Sequence, residues 1–205
     1  MLSNLRIMQF LERTASGAPV PGGGSIAALS AAVSASLSEM VANLTIGRKG
    51  FEAIENEMKE IAKDAFNYRG KLVHDIDRDS DAFNDVVSAY KLPKSTEKNR
   101  SNRDRAIQQG LKNAVRVPLS VAKDALRLME LAARVVENGN KNAVTDGAVA
   151  AMMARTSVLS ALYNVKINLL SITDKAFVKD VAKQIKHMEK HTQEREKEIL
   201  SAIDL

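Results

Sequence analysis

Apolar positions recur every three or four residues along most of the chain, and no stretch alternates as a half-buried strand would. Leu5, Met8, Leu11 and Thr14 predict a first helix, ended by Gly17 and Pro19. A run of small apolar residues from Ser25 to Ile46 predicts a second, closed by Gly47. Phe51, Ile54, Met58, Ile61, Ala65 and Tyr68 step around one face of a long amphipathic helix that reaches Ile76 and can extend to Tyr90. Leu92-Pro93-Lys94-Ser95-Thr96 breaks it.

Helical spacing resumes at Thr96 or Ser95, with Glu97 in the first turn, and lasts to Val136. Pro118 falls inside this run, where it must kink the helix or begin a new one. Asn138-Gly139-Asn140 is a strong stop. Thr145 or Asp146 is expected to cap another apolar helix, Gly147 to Leu170. A turn at 171–174 precedes a last helix, Lys175 to Ile203, which buries Phe177, Val181, Ile185 and Met188. The pattern predicts an all-α fold: one domain, 1–205, built as a bundle of long antiparallel helices. The helices at 25–46 and 147–170 are rich in Ala, Ser and Met, so they belong in the bundle core or in a homodimer interface.

Composition narrows the function classes. With no cysteine there is no disulfide, no thiolate metal site and no Cys nucleophile. His187 and His191 are spaced to share a helix face but sit in a highly charged segment without a third ligand, so a solvated face is expected and no metal site. The segment Ser25–Gly47 carries one charge, Glu39, yet five serines dilute it, and a packed core helix is expected rather than a membrane span. The first twenty residues lack the basic start and apolar stretch of a secretory signal, which points to the cytoplasm. Residues 91–116 hold eight Lys/Arg and two acids, a patch for a small polyanion. Nucleic acid is not expected, since aromatics make up 4% of the chain and no groove-reading motif is present.

Three groups of residues carry candidate chemistry. Gly22, Gly23 and Gly24 lead into Ser25, expected to cap the second helix. A helix start of this kind presents free N–H groups to a polar or anionic ligand. Asp75, Asp77, Asp79 and Asp81 crowd a short segment, where like charges can raise one pKa toward the range of general acid–base work. Asn164 and Asn168 share a face of an otherwise apolar helix and need partners, another helix or a ligand, because an unbonded buried amide costs about 1–3 kcal/mol.

Together these segments resemble the cyclodeaminase/cyclohydrolase family that acts on folate. The resemblance rests on Pro21-Gly22-Gly23-Gly24-Ser25, Met40-Val41-Ala42-Asn43-Leu44-Thr45, Asp77-x-Asp79-x-x-Ala82-Phe83, Leu92-Pro93-Lys94 and Val117-Pro118-Leu119. It continues through Gly139-Asn140-x-Asn142-Ala143-Val144-Thr145-Asp146 and Asn164-Val165-Lys166-Ile167-Asn168-Leu169. The family carries Ser-Asp where this chain has Thr145-Asp146.

The resemblance implies an all-helical, dimer-forming enzyme without metal or redox cofactor, whose substrate is a tetrahydrofolate derivative, polyglutamylated in some cases. It implies closure of formimidoyltetrahydrofolate to methenyltetrahydrofolate with loss of ammonia, or hydrolysis of methenyltetrahydrofolate to formyltetrahydrofolate. An inactive folate-binding module is a third reading. On this resemblance Asp77, Asp79 and Asp146 are the candidates for proton transfer. Gly22, Gly23, Gly24, Ser25, Asn43, Asn142, Asn164, Lys166 and Asn168 are the candidates for binding the folate.

Overall fold

The computed structural model describes residues 1–203; the last two positions of the expected 1–205 domain lie outside the described residues. These contain six α-helices and no strand: α1 (Ile7–Ala15), α2 (Gly23–Asn43), α3 (Glu55–Tyr90), α4 (Glu97–Asn138), α5 (Val144–Leu169) and α6 (Lys175–Ser201). The amphipathic pattern of the third helix carries through to Tyr90, and α4 runs unbroken past Pro118.

Successive long helices pack antiparallel. Glu39 of α2 pairs with Arg69 of α3, while Gly24 lies against Asp79. Lys71 and Glu57 of α3 pair with Asp124 and Arg134 of α4. Arg155 and Lys166 of α5 pair with Glu196 and Glu189 of α6.

α2 and α5 form the centre. Ala27, Ala28, Ala31 and Ala35 of α2, and Ala150, Ala151, Ala154 and Ala161 of α5, are fully buried. Small side chains let the two backbones approach closely. Ser34 Oγ then donates across to the Ala150 carbonyl at 2.8 Å, and Ser157 Oγ to the Ala27 carbonyl at 2.7 Å. These bonds satisfy buried hydroxyls that would otherwise be unpaired, each contributing about 1 kcal/mol net. α2 is long and apolar enough to cross a membrane, but 61% of its most apolar window is buried inside the bundle, as in a core helix.

Two expected caps are corrected. α2 begins at Gly23 with Gly22 at its cap, so Ser25 is inside the first turn and fully buried. α5 begins at Val144, after a single 3₁₀ turn at Lys141–Ala143 whose cap is Asn140; Thr145 and Asp146 therefore lie within its first turn. In both places the helix starts earlier than expected: α2 enters through the extended backbone of Gly22, and α5 through the 3₁₀ turn. The expected caps hold at Thr96, whose Oγ accepts from Asn99 N, and a further one at Asp174 accepts from Phe177 N.

Candidate active site

Three elements build one cavity of about 360 Å³: the loop into α2, the middle of α3 and the last turns of α5. Gly22, Gly23, Gly24, Asp79, Asn164 and Asn168 all line it. Six of the twelve residues singled out from the sequence thus meet at one place.

Asp79 is the central group. Its carboxylate lies so close to Gly24 that a Cβ there would stand 2.0 Å from Oδ1, so any larger residue must displace that carboxylate. Ser25 Oγ donates to Asp79 Oδ2 at 3.1 Å and also lies 3.1 Å from the Ile76 carbonyl oxygen. The Ser25 backbone N–H donates to the same carboxylate. Asp79 therefore caps α2 from across the bundle, in place of a side chain of α2 itself. Burial pushes the Asp79 carboxyl above the ordinary range, and the two bonds from Ser25 only partly pull it back.

Opposite, Asn164 and Asn168 have fixed amides. Asn164 Nδ2 donates to the Ser160 carbonyl at 2.9 Å. Asn168 Nδ2 donates to the Ala114 carbonyl at 2.9 Å. Ala114 is four residues before Pro118, whose missing N–H leaves that carbonyl without its helical partner. The side chain of Asn168 supplies the donor that proline withholds. Because a carbonyl can only accept, each contact fixes the amide's orientation: one N–H of each Nδ2 is used, and both Oδ1 atoms remain as acceptors. Phe83, Val86 and Ile167 supply apolar wall. The cavity thus offers a protonatable carboxyl, two amide oxygens and the free N–H groups of the first turn of α2, between apolar surfaces.

The other candidates lie elsewhere in the protomer. Asp77 faces the amino-terminal turn, where its Oδ1 accepts from Leu2 N and its Oδ2 from Ser3 Oγ. Lys166 pairs with Glu189 at 2.5 Å and lies over the Tyr163 ring. Ser25 is sealed from the cavity and acts on Asp79. Asn43 belongs to a shallow groove with Glu39, Met40 and Arg69. Asn142 is exposed beside Asn140, and Asp146 is half-buried in the first turn of α5. Asn43, Asn142 and Asp146 thus occupy the far end of the α2–α5 pair, roughly 30 Å from the cavity at about 1.5 Å per residue over the 21 residues of α2.

Sequence reasoning missed Val86, Ile167 and Pro19 as wall residues. Phe83 was visible in principle: four residues after Asp79, it falls on the same face of α3.

A helical bundle with a half-buried acid at a glycine-rich helix start agrees with the resemblance read from the sequence. The chain belongs to the formiminotransferase-cyclodeaminase family, whose model matches residues 6–187. Among its relatives, methenyltetrahydrofolate cyclohydrolase of Methylorubrum extorquens is 38% identical over 90% of this chain and 89% of that protein. Formimidoyltransferase-cyclodeaminase of Rattus norvegicus is 35% identical over 86% of this chain, which spans 32% of that longer protein. The crystal structure of formiminotetrahydrofolate cyclodeaminase from Thermotoga maritima superposes with a TM-score of 0.89 at 30% identity, covering 99% of this chain and 98% of that one.

Proposed function

We propose that this chain binds a reduced folate in the Asp79 cavity and closes formimidoyltetrahydrofolate to methenyltetrahydrofolate, releasing ammonia. The observation that carries this reading is the half-enclosed carboxyl of Asp79, raised by burial, at a helix start open to ligand. In the reaction the formimino carbon, carried on a nitrogen of the pterin ring, is attacked by the neighbouring folate nitrogen outside that ring, and the carbon–nitrogen bond to the departing amine breaks. The attack is intramolecular, so holding the folate in a folded pose removes much of the entropic barrier. Asp79 takes the proton from the attacking nitrogen and returns one to the departing amine. A carboxyl raised toward neutrality serves both directions. The amide oxygens of Asn164 and Asn168 accept from the donor edge of the pterin, and Phe83, Val86 and Ile167 flank its ring.

A second groove, of about 440 Å³, lies next along the α3–α4 seam and is lined by Ser88, Leu92, Gln109, Gly110 and Asn113. It leads toward the basic start of α4 and suits the acidic glutamate end of the substrate. Arg103 is held there by the Tyr90 carbonyl at 3.2 Å, whereas Lys94 and Lys98 are exposed. Charge reversal at Lys94 and Lys98 is therefore expected to raise KM more for polyglutamylated than for monoglutamylated folate. Equal effects on both would remove the tail from this surface.

The protein works as a homodimer in this reading. α2 exposes Val33, Met40 and Leu44, and α5 exposes Val149, Met152, Tyr163, Ile167 and Leu170, large apolar side chains of the kind that mark association. A two-fold axis across the middle of the α2–α5 pair sets the Asn43, Asn142 and Asp146 end of one protomer against the Asp79 end of its partner. That arrangement would unite the two groups of candidates.

The second reading is hydrolysis of methenyltetrahydrofolate, favoured by the relative of that name that matches over nearly its whole length. The same carbon reacts, and Asp79 activates water instead of receiving a proton from the folate nitrogen. Purified protein given formimidoyltetrahydrofolate should release ammonia as methenyl absorbance rises. No ammonia from that substrate, with loss of methenyl absorbance from methenyltetrahydrofolate, would replace the first reading by the second. Inactivity on both would overturn the enzymatic reading.

A further inference from the structure

A further groove, of about 460 Å³, is remote from Asp79. It lies between α4 and α6, lined by Lys123, Leu126, Arg127, Glu130, Gln184, His187, Met188 and His191. Along α4 it begins nine residues beyond Ala114, so its near edge is roughly 14 Å from the folate cavity at about 1.5 Å per residue.

The charge arrangement of this groove is unusual for the bundle. Several basic residues that face a neighbouring helix elsewhere are paired: Lys71 with Asp124, Lys112 with Asp174, Arg134 with Glu57, Arg155 with Glu196, Lys166 with Glu189. The single acid lining the groove, Glu130, is already engaged, accepting from Arg195 Nε and Nη2 at 2.7–3.2 Å. Lys123 and Arg127 have no ion-pair or hydrogen-bond partner among the described residues. The imidazoles of His187 and His191 stand face to face, with ring planes 1° apart and centroids 6.2 Å apart. One more N–H donor pair, on Gln184, is partly used by Asp180 at 2.7 Å. The floor is apolar, formed by Leu126 and the buried Met188.

Lys123 and Arg127 stand unpaired beside two imidazoles, and the one lining carboxylate, Glu130, is taken by Arg195 and lies 4.0 Å from His191 Nε2, so the groove keeps cationic charge to offer an anion. Arginine with lysine suits phosphate oxygens: the guanidinium fork grips two of them and the ammonium adds a compact charge. The apolar floor and the flat faces of the imidazoles and the guanidinium suit a planar ring. A mononucleotide fits the volume, which lies within the range of small-molecule sites. We propose that the α4–α6 groove is a second ligand site, for a planar heteroaromatic ring bearing phosphate, the chemistry of a nucleoside phosphate. It is separate from the folate cavity and holds whichever of the two folate reactions the chain catalyses.

Titration calorimetry of the whole protein with ADP, and in parallel with inorganic phosphate and pyrophosphate, tests this. ADP is expected to bind one per chain, at least tenfold more tightly than either inorganic ion, and to weaken as salt rises. Lys123→Gln with Arg127→Gln should weaken ADP at least tenfold while leaving folate turnover unchanged. His187→Ala with His191→Ala should weaken it as well. Circular dichroism establishes that each variant is folded, and the single Arg127→Gln variant serves where the double one is not. Failure of ADP to bind, or undiminished binding in folded variants, would overturn the site. Equal binding of pyrophosphate and ADP would overturn the ring-bearing ligand.

Discussion

Asp79 combines two tasks that pull its carboxyl in opposite directions. It caps α2 as an acceptor for Ser25, and it sits in a setting that disfavours its charge. A carboxyl whose folded-state pKa is raised binds its proton more tightly folded than unfolded. Its contribution to stability is therefore full below the ordinary carboxylate pKa and is lost as pH rises through the raised value. Asp75 adds to the same trend: it is fully buried, its Oδ2 has no partner, and burial raises it despite the Arg78 guanidinium 2.6 Å away. Asp79→Asn is isosteric and keeps one acceptor for Ser25. It should melt above wild type at pH 7, with the difference vanishing below about pH 4 in thermal scans. Gly24→Ala should act oppositely, driving a methyl into the carboxylate at a cost of about 1–3 kcal/mol in denaturant unfolding, with turnover falling too.

Pro118 and Asn168 show how two helices share one hydrogen-bond account. Replacing Asn168 by Ala strips the Ala114 carbonyl of its donor and should cost about 1–3 kcal/mol of stability. In a Pro118→Ala background the helix regains its own N–H, so the same substitution should cost measurably less; a double-mutant cycle in urea reads the difference. Additive effects would mean that Asn168 does not serve the proline. This pairing was half legible in sequence. A proline inside a helical run and two asparagines inside an apolar one each announced a need. Nothing in the order of residues said that one need answers the other, because they meet only where α4 packs against α5. The start of α2 departs from its expected place for a related reason. Three glycines carry no side-chain signal of where the helix begins, and Ser25 looked like a cap. The residue that caps the turn, Asp79, comes from α3, far along the chain. Helix identities and the long spans of α3 and α6, by contrast, follow from local periodicity, which tertiary contacts reinforce rather than override.

At the scale of the whole molecule, the candidate residues divide between the two ends of the α2–α5 pair, and the apolar face lies between them. The sequence supplied both sets without their separation, since two antiparallel helices bring residues together at each end and neither helix states which end reacts. Val33→Asp with Met152→Asp places charge in the centre of the exposed face. Sedimentation should report a dimer for the wild type and a monomer for this variant, with turnover lost although Asp79 is untouched. A monomeric variant with full activity would show that one protomer suffices.

The most direct test of the account compares wild type with Asp79→Asn in both turnover and folate binding across pH. The account predicts that the variant binds folate within a few-fold of wild type while kcat falls about 10²–10⁴-fold. It also predicts that the acid limb of the wild-type rate profile lies above the usual carboxylate range and disappears in the variant. A folded Asp79→Asn protein that turns over at the wild-type rate would contradict it.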